Sequence, residues 1–307
     1  MIIHLHKRLR ADLILLFVAI IWGSAFSAQR VAASYIPFFI YNGLRFAVGA
    51  ITVYGMVKLQ GHRVRKNLTR IEVLGGLLCG GLIFGGSNFQ QAGLQFTSAG
   101  KAGFITGLYV VLVPCIYALF KKNGGRESLH WSAWAAAFLA TCGLFFLSAT
   151  ETFSLTLGDT IVLGGTLFWA LHIIAIGYLA PKVDVLRLAF MQFSACALLN
   201  LGVSPFFESI SMQNMQESWW TVMYVGVFSV GVAYTLQVVG QQEAPETDAA
   251  IIMSMEAVFA ALFGWLWLNE CLTWVQLFGC GLIIAGMLLA QMGGQGQYGK
   301  EKHPLSA

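Results

Sequence analysis

Apolar residues in this chain come in long, nearly unbroken runs, separated by short stretches where most of the lysine, arginine, aspartate and glutamate collect. The runs lie near 12–30, 38–58, 72–95, 99–120, 131–149, 159–180, 187–206, 219–241, 248–268 and 273–292. A bilayer-spanning helix needs about 20 such residues. The pattern therefore predicts an all-α integral membrane protein with ten transmembrane helices.

Composition agrees. Of the 307 residues, 57% are hydrophobic and only 10% charged, against roughly 25% charged in a soluble domain. Ten spans use about 200 residues and leave about 100 for connections and tails, so no large extramembrane domain is expected. Lysine and arginine number 18 against 14 acidic residues, a net charge of +4. In a membrane chain the sidedness of that charge matters more than its total, and no nucleic-acid partner is implied. No GxxxxGK[ST] phosphate loop occurs, so ATP is not the direct energy source in this chain. Cys79, Cys115, Cys142, Cys196 and Cys280 lie in apolar runs, Cys271 lies outside them, and none has CxxC spacing. They read as small core residues, with no disulfide, metal site or cofactor expected. The basic start at His4, Lys7, Arg8 and Arg10 loosely matches a signal peptide. The run after it recurs later in the chain, so no cleavage is expected.

That recurrence divides the chain. Asp12, Ile14, Leu16 and Trp22 reappear 147 residues later as Asp159, Ile161, Leu163 and Trp169. The same shift takes Phe46 to Phe193, Ala50 to Ala197, Gly93 to Gly240, Gln95 to Gln242 and Ala102 to Ala249. Near the end of each half the shift is 143, pairing Leu129 with Leu272, Trp131 with Trp274 and Gly143 with Gly286, as a four-residue insertion around 124–127 would produce. Two repeats result, at 1–149 and 150–292, with a polar, glycine-rich tail at 293–307 expected to be disordered and cytoplasmic. Five spans per repeat is an odd number, so the second repeat enters from the opposite side and the two are inverted. With a cytoplasmic N-terminus, Arg30 and Lys101 alone among the basic residues fall outside, while Arg45 lies within a span. The basic stretch 61–70 corresponds to 207–217, which has two glutamates and no lysine or arginine. Positive charge thus marks the inner side of the cytoplasmic membrane and puts both termini there. The acidic connection 243–248 is placed inside without basic support.

The segments ADLILLFVAIIWGSAFSAQRVA, LRF in the second run, SAGKAGFITGLYVVLVP in the fourth, and AAIIMSMEAVFAALFGWLWLNECLTWVQLFGCGLIIAGM occur in that order. In them the chain resembles EamA-type permeases of the drug/metabolite transporter superfamily, over essentially its whole length. The resemblance implies a secondary transporter moving a small organic metabolite across the cell membrane, with export of amino acids or related compounds leading. Drugs, nucleosides or sugar derivatives are the alternative solutes. Proton or cation coupling and a homodimer stay open. Where similar repeats often have proline, this second repeat has Glu256 followed by Ala257, which leaves a helix break there open. Independently of the resemblance, inverted repeats argue for alternating access around a site near the midplane. An integral-membrane enzyme acting on lipids is the rival reading, but the loops hold no DxxxD or HxxxH cluster, and Glu151 and Asp159 stand apart.

Polar residues inside the runs are the candidates for that site. A charge at bilayer depth costs at least ~2.5 kcal/mol and is expected to face the bundle interior. Arg45 and Glu256 are the clear cases. Arg45 is expected to bond carbonyls or helix ends, or to meet substrate; Glu256 to handle a proton or cation, or to remain a neutral or paired carboxyl. Asn88, Gln91 and Gln95 show i, i+3, i+7 spacing, and Tyr234, Gln237 and Gln241 repeat it on the equivalent run. These stripes line a cavity or glue helices together. The substrate-binding candidates are Asn88, Gln91, Tyr234 and Gln237, together with Trp22 and Trp169, which lie too deep for an interfacial belt. His172, one turn beyond Trp169, joins them as a neutral hydrogen-bonded group or a titrating gate, with no metal partner at ligand spacing. Thr106 and Tyr109 also belong to this set and share a face ahead of Pro114, whose missing N–H is expected to kink its helix.

Overall fold

The computed structural model describes residues 2–59, 69–120, 131–148, 156–269, 271 and 273–300, which are helical with short connections and hold no β-strand. In chain order the helices are α1 (Ile2–Ala32), α2 (Phe38–Leu59), α3 (Arg70–Gly93), α4 (Ala99–Gly107), α5 (Tyr109–Phe120), α6 (Trp131–Ser148), α7 (Leu157–Leu179), α8 (Val185–Phe207), α9 (Met212–Tyr224), a π-helical segment (Val225–Tyr234), α10 (Thr235–Gly240), α11 (Glu246–Met253), α12 (Glu256–Leu268) and α13 (Trp274–Lys300). Among the described residues, seven helical segments are long and apolar enough to cross a membrane: Lys7–Ala32, Arg70–Gly93, Ala99–Ile116, Leu157–Leu179, Val185–Phe207, Met212–Gly240 and Glu246–Leu268. Trp134–Phe146 and Trp274–Leu289 are shorter apolar helices. α2 spans 22 residues but carries Asn42 and Arg45, which make it more polar.

Local chemistry sets the helix starts. Thr69 and Glu72 form a capping box on α3, and Thr156 and Asp159 form one on α7, each closing two backbone donors at a helix start. Ser98, Asp184 and Ser211 cap α4, α8 and α9. Two helices are interrupted at matching places. α4 gives way to α5 at Leu108, whose N–H bonds Ile105 O at 3.2 Å, and α11 to α12 at Ser254 and Met255, where Met255 N–H bonds Ile252 O at 3.1 Å. These i to i−3 bonds tighten one turn to 3₁₀ geometry. Leu108 and Met255 stand 147 residues apart, and neither turn contains proline. The break left open at Glu256 therefore exists, while α5 runs on through Pro114 and the interruption falls six residues earlier.

Ion pairs identify which helix ends lie together. Arg8 bonds Asp248, and Lys7 lies 3.6 Å from Glu243, so α1 begins beside the end of α10 and the start of α11. Arg187 at the start of α8 lies 3.5 Å from Glu72 at the start of α3. Asp159 at the start of α7 accepts from Thr97 Oγ1 at 2.6 Å and lies 3.8 Å from Lys101, so α7 begins where α3 finishes and α4 starts. α2 packs on α8 and on the π segment, α3 on α7 and α8, α1 on α10 and α12, and α7 on α4 and α5. α6 and α13 cross through glycine: a Cβ on Gly143 would sit 2.6 Å from Gly279 O, and one on Gly286 2.8 Å from Ala136 O.

The core joins helices of both halves, with Leu15, Phe46, Ile83, Phe193, Val230 and Ile251 all fully buried or nearly so. All six cysteines are free; Cys79 and Cys196 are buried and Cys271 is exposed. α13 continues to Lys300. Residues 301–307, the basic positions Arg63, Arg65, Lys66, Lys121, Lys122 and Arg126, the insertion at 124–127 and Glu151 lie outside the described residues.

Candidate functional site

A cavity lies in the middle of the bundle, walled by helices of both halves. Nine of the eleven candidate residues line it: Trp22, Arg45, Thr106, Tyr109, Trp169, His172, Tyr234, Gln237 and Glu256. Its aromatic wall is a cluster around Tyr234, whose ring centroid lies 4.7 Å from Trp22 and 6.1 Å from Trp169. Trp22 Nε1 donates to the carbonyl of Ser229 at 3.3 Å, within the π segment. His172 stands edge-on to Trp169 and Tyr234 with its Nε2 3.0 Å from Gln192 Oε1, the hydrogen-bonded arrangement expected of a buried histidine.

Asn88 and Gln91 do not line the cavity; they sit behind it. Asn88 Oδ1 accepts from Asn42 Nδ2 at 2.7 Å, and Gln91 Nε2 donates to Gln29 O at 3.0 Å. Asn42 Oδ1 in turn accepts from Arg45 Nε at 2.8 Å, and Gln29 Oε1 from Arg45 Nη1 at 2.9 Å. These amides orient the guanidinium. The cavity position belongs to Gln90, with Gln29, Ser229, Phe26 and Ile173 as further walls. One step along a helix turns a side chain by about 100°, so Gln90 and Gln91 face different neighbours. Gln90 was legible from the repeat, since it stands 147 residues before Gln237. Gln29, beside Arg30 at the end of the first run, carries no comparable signal.

The two charges are not paired with each other. Among the described residues no carboxylate lies within 4.0 Å of Arg45 and no cation within 4.0 Å of Glu256. Arg45 is 2% exposed and Glu256 3% exposed. Buried polar atoms of the lining without a hydrogen-bond partner include Thr106 Oγ1, Trp169 Nε1 and Gln237 Oε1, while the Tyr109 hydroxyl lies against the Glu256 carboxyl. Native interiors satisfy nearly all such atoms, so their convergence on one cavity marks a surface equipped to bind a polar solute. Gln237 Nε2 and Gln241 point along their own helix and to Ile173 O.

The EamA-like transporter family matches this chain twice, over residues 9–149 and 156–292. An uncharacterized transporter of Archaeoglobus fulgidus is 32% identical over 289 residues, covering 93% of this chain and 87% of its own length. The threonine/homoserine exporter RhtA of Escherichia coli K12 is 27% identical over 259 residues, covering 80% of this chain and 79% of its own. A solved crystal structure shares the fold, with a TM-score of 0.75 at 20% identity over 92% of this chain and 96% of that one. The described helices, the family match across both halves and these relatives together identify the chain as a multi-pass membrane transporter, a member of the EamA-like transporter family.

Proposed function

We propose that the protein is a secondary active transporter that exports amino acids or related compounds by alternating access, through ten helices arranged as two inverted five-helix repeats with both termini cytoplasmic. The observation that carries this reading is the set of buried, unpartnered polar side chains, Thr106, Trp169 and Gln237, that line one cavity between the halves together with Arg45 and Glu256. Such a chamber can open to either side if the halves exchange conformations. The inversion is supported by the double family match and by the start of each half lying at opposite ends of the bundle. The helix partners also exchange consistently: α1 on α10 answers α7 on α3, and α2 on the π segment answers α8 on α3. Amino-acid export is supported by the name of the Escherichia coli relative.

The test is counterflow of labelled L-threonine and other amino acids in liposomes holding the purified protein. Flux is expected in the parent and lost when Gln90→Leu and Gln237→Leu are combined in a protein that still inserts. Unchanged flux in that double variant would remove these glutamines from the path, and flux only of a drug, nucleoside or sugar derivative would replace the substrate class. Cysteines placed at positions 63 and 210 should react from opposite faces of the membrane; reaction from the same face would end the inverted arrangement.

A further inference from the structure

The two cavity charges stand where the two halves stop matching. At the 147-residue interval Trp22 falls on Trp169 and Gln90 on Gln237, so part of the wall is common to both repeats. Arg45, however, falls on Gln192, and Glu256 answers Tyr109. Each position is thus filled by a neutral side chain in the other half, inside the same kind of helix. Gln192 is fully buried and bonds His172, and Tyr109 is 2% exposed and lies against Glu256. A folding requirement shared by the repeats therefore does not account for a guanidinium in one and a carboxyl in the other. An ionisable residue inside a membrane bundle without an ionic partner is costly and marks function by default.

The supporting contacts are those of a prepared site. Arg45 Nε and Nη1 are held by the neutral amides of Asn42 and Gln29, which fix its direction without cancelling its charge. Glu256 stands at the start of α12 with the neutral Tyr109 hydroxyl beside it and no cation within 4.0 Å among the described residues. The rings of Trp22, Tyr234 and Trp169 line the same cavity, and their faces attract a cation.

We propose that this cavity recognises its solute as a zwitterion, the carboxylate on Arg45 and the ammonium on Glu256 and the adjoining aromatic faces, so that both ends of a free amino acid are read. This rests on the cavity being the transport site. A solute lacking either group leaves Arg45 or Glu256 buried without its match, which is how a polar site rejects a close analogue.

The experiment is thermal stabilisation of the detergent-purified full chain. The probes are the twenty common L-amino acids and, for each that stabilises, its deaminated acid and its decarboxylated amine. At least one amino acid is expected to stabilise the parent, and each one-charge analogue to bind roughly 10- to 100-fold more weakly. Arg45→Gln should bring the amine level with the amino acid, Glu256→Gln should do so for the acid, and Arg45→Lys should keep part of the parent's preference. An analogue that binds the parent as tightly as the amino acid, no stabilisation by any of the twenty, or the two variants showing each other's pattern would each overturn the assignment. If Arg45→Gln fails to fold, the parent's analogue series and Glu256→Gln decide alone. Liposome flux of a solute that is not a zwitterion would sink this inference and leave the transporter reading standing, whereas absence of any flux would sink that reading itself.

Discussion

Replacing Asp248 by asparagine asks how the bundle is held together at the end where α1 begins. Two ion pairs join α1 to the second half there. Arg8 and Asp248 have side chains only 10% and 12% exposed, whereas Lys7 and Glu243 are 57% and 49% exposed at 3.6 Å. The exposed pair is worth about 0–1 kcal/mol. Removing one member of a buried pair costs about 3–5 kcal/mol, because the remaining charge loses its match. Asp12, one turn from Arg8 on α1, retains part of the compensation, so the lower figure applies. If α1 and α11 part when this end opens, the loss falls on the closed arrangement alone, and ~3 kcal/mol shifts the ratio of closed to open molecules by about a hundredfold. The assay is maleimide labelling of Ile173→Cys, a cavity residue 3% exposed, in a background lacking the six native cysteines. When opening is fast relative to labelling, the rate tracks the open population. Asp248→Asn should label some 10- to 100-fold faster, and Glu243→Gln about fivefold faster at most. Equal rates for the two variants, or no change with Asp248→Asn in a protein of undiminished stability, would refute the reasoning.

Three further outcomes are expected. Gly286→Ala should lower thermal stability by about 1–3 kcal/mol through overpacking, because its Cβ would meet Ala136 O at 2.8 Å, while Gly281→Ala on the same helix, with nothing within 4 Å, should not; melting curves distinguish them. Glu208 accepts from Phe39 N–H at 2.9 Å and Ile40 N–H at 2.8 Å through its two oxygens. Glu208→Gln keeps one acceptor oxygen, so about 0.5–2 kcal/mol of capping is lost at the start of α2, read as faster hydrogen exchange at those two amides. Asn42→Ala removes the acceptor of Arg45 Nε and the donor to Asn88, a loss of about 1.5–3 kcal/mol for a hydrogen bond to a charged group, read as a higher transport KM in a protein that still inserts.

The helices were legible because their determinants are local: apolar runs long enough to span, ended by Pro37, by the capping pair Thr69 and Glu72, or by Thr156 and Asp159. The aromatic and charged cavity walls were legible because Trp22, Trp169, Arg45 and Glu256 are costly to place anywhere else in a bilayer. Of the polar stripes, Tyr234 and Gln237 line the cavity, while Asn88 and Gln91 bond neighbouring helices and leave the matching place in the first half to another residue, since i, i+3, i+7 spacing defines a face without saying which neighbour the face meets. That role fell to Gln90, which the repeat interval points to and the stripe does not. Breaks at Leu108 and Met255 had no proline to announce them; they come from tightened turns in the folded bundle. Ser229 joins the cavity wall from Val225–Tyr234, where α-helical periodicity gives way to a π-helix that no sequence pattern of apolar residues reports.

That wide-turned stretch has a mechanical meaning. Residues 225–234 adopt i to i+5 bonding between regular helices on either side. A π turn holds slack, because giving up a residue to a neighbouring α turn lengthens that neighbour by about 1.5 Å and rotates the remainder of the helix by about 100°. Tyr234 and Gln237 lie at its far end and just past it. One helix can thus change its twist at the chamber wall without losing its continuity, a supple joint where a broken helix would have to hinge.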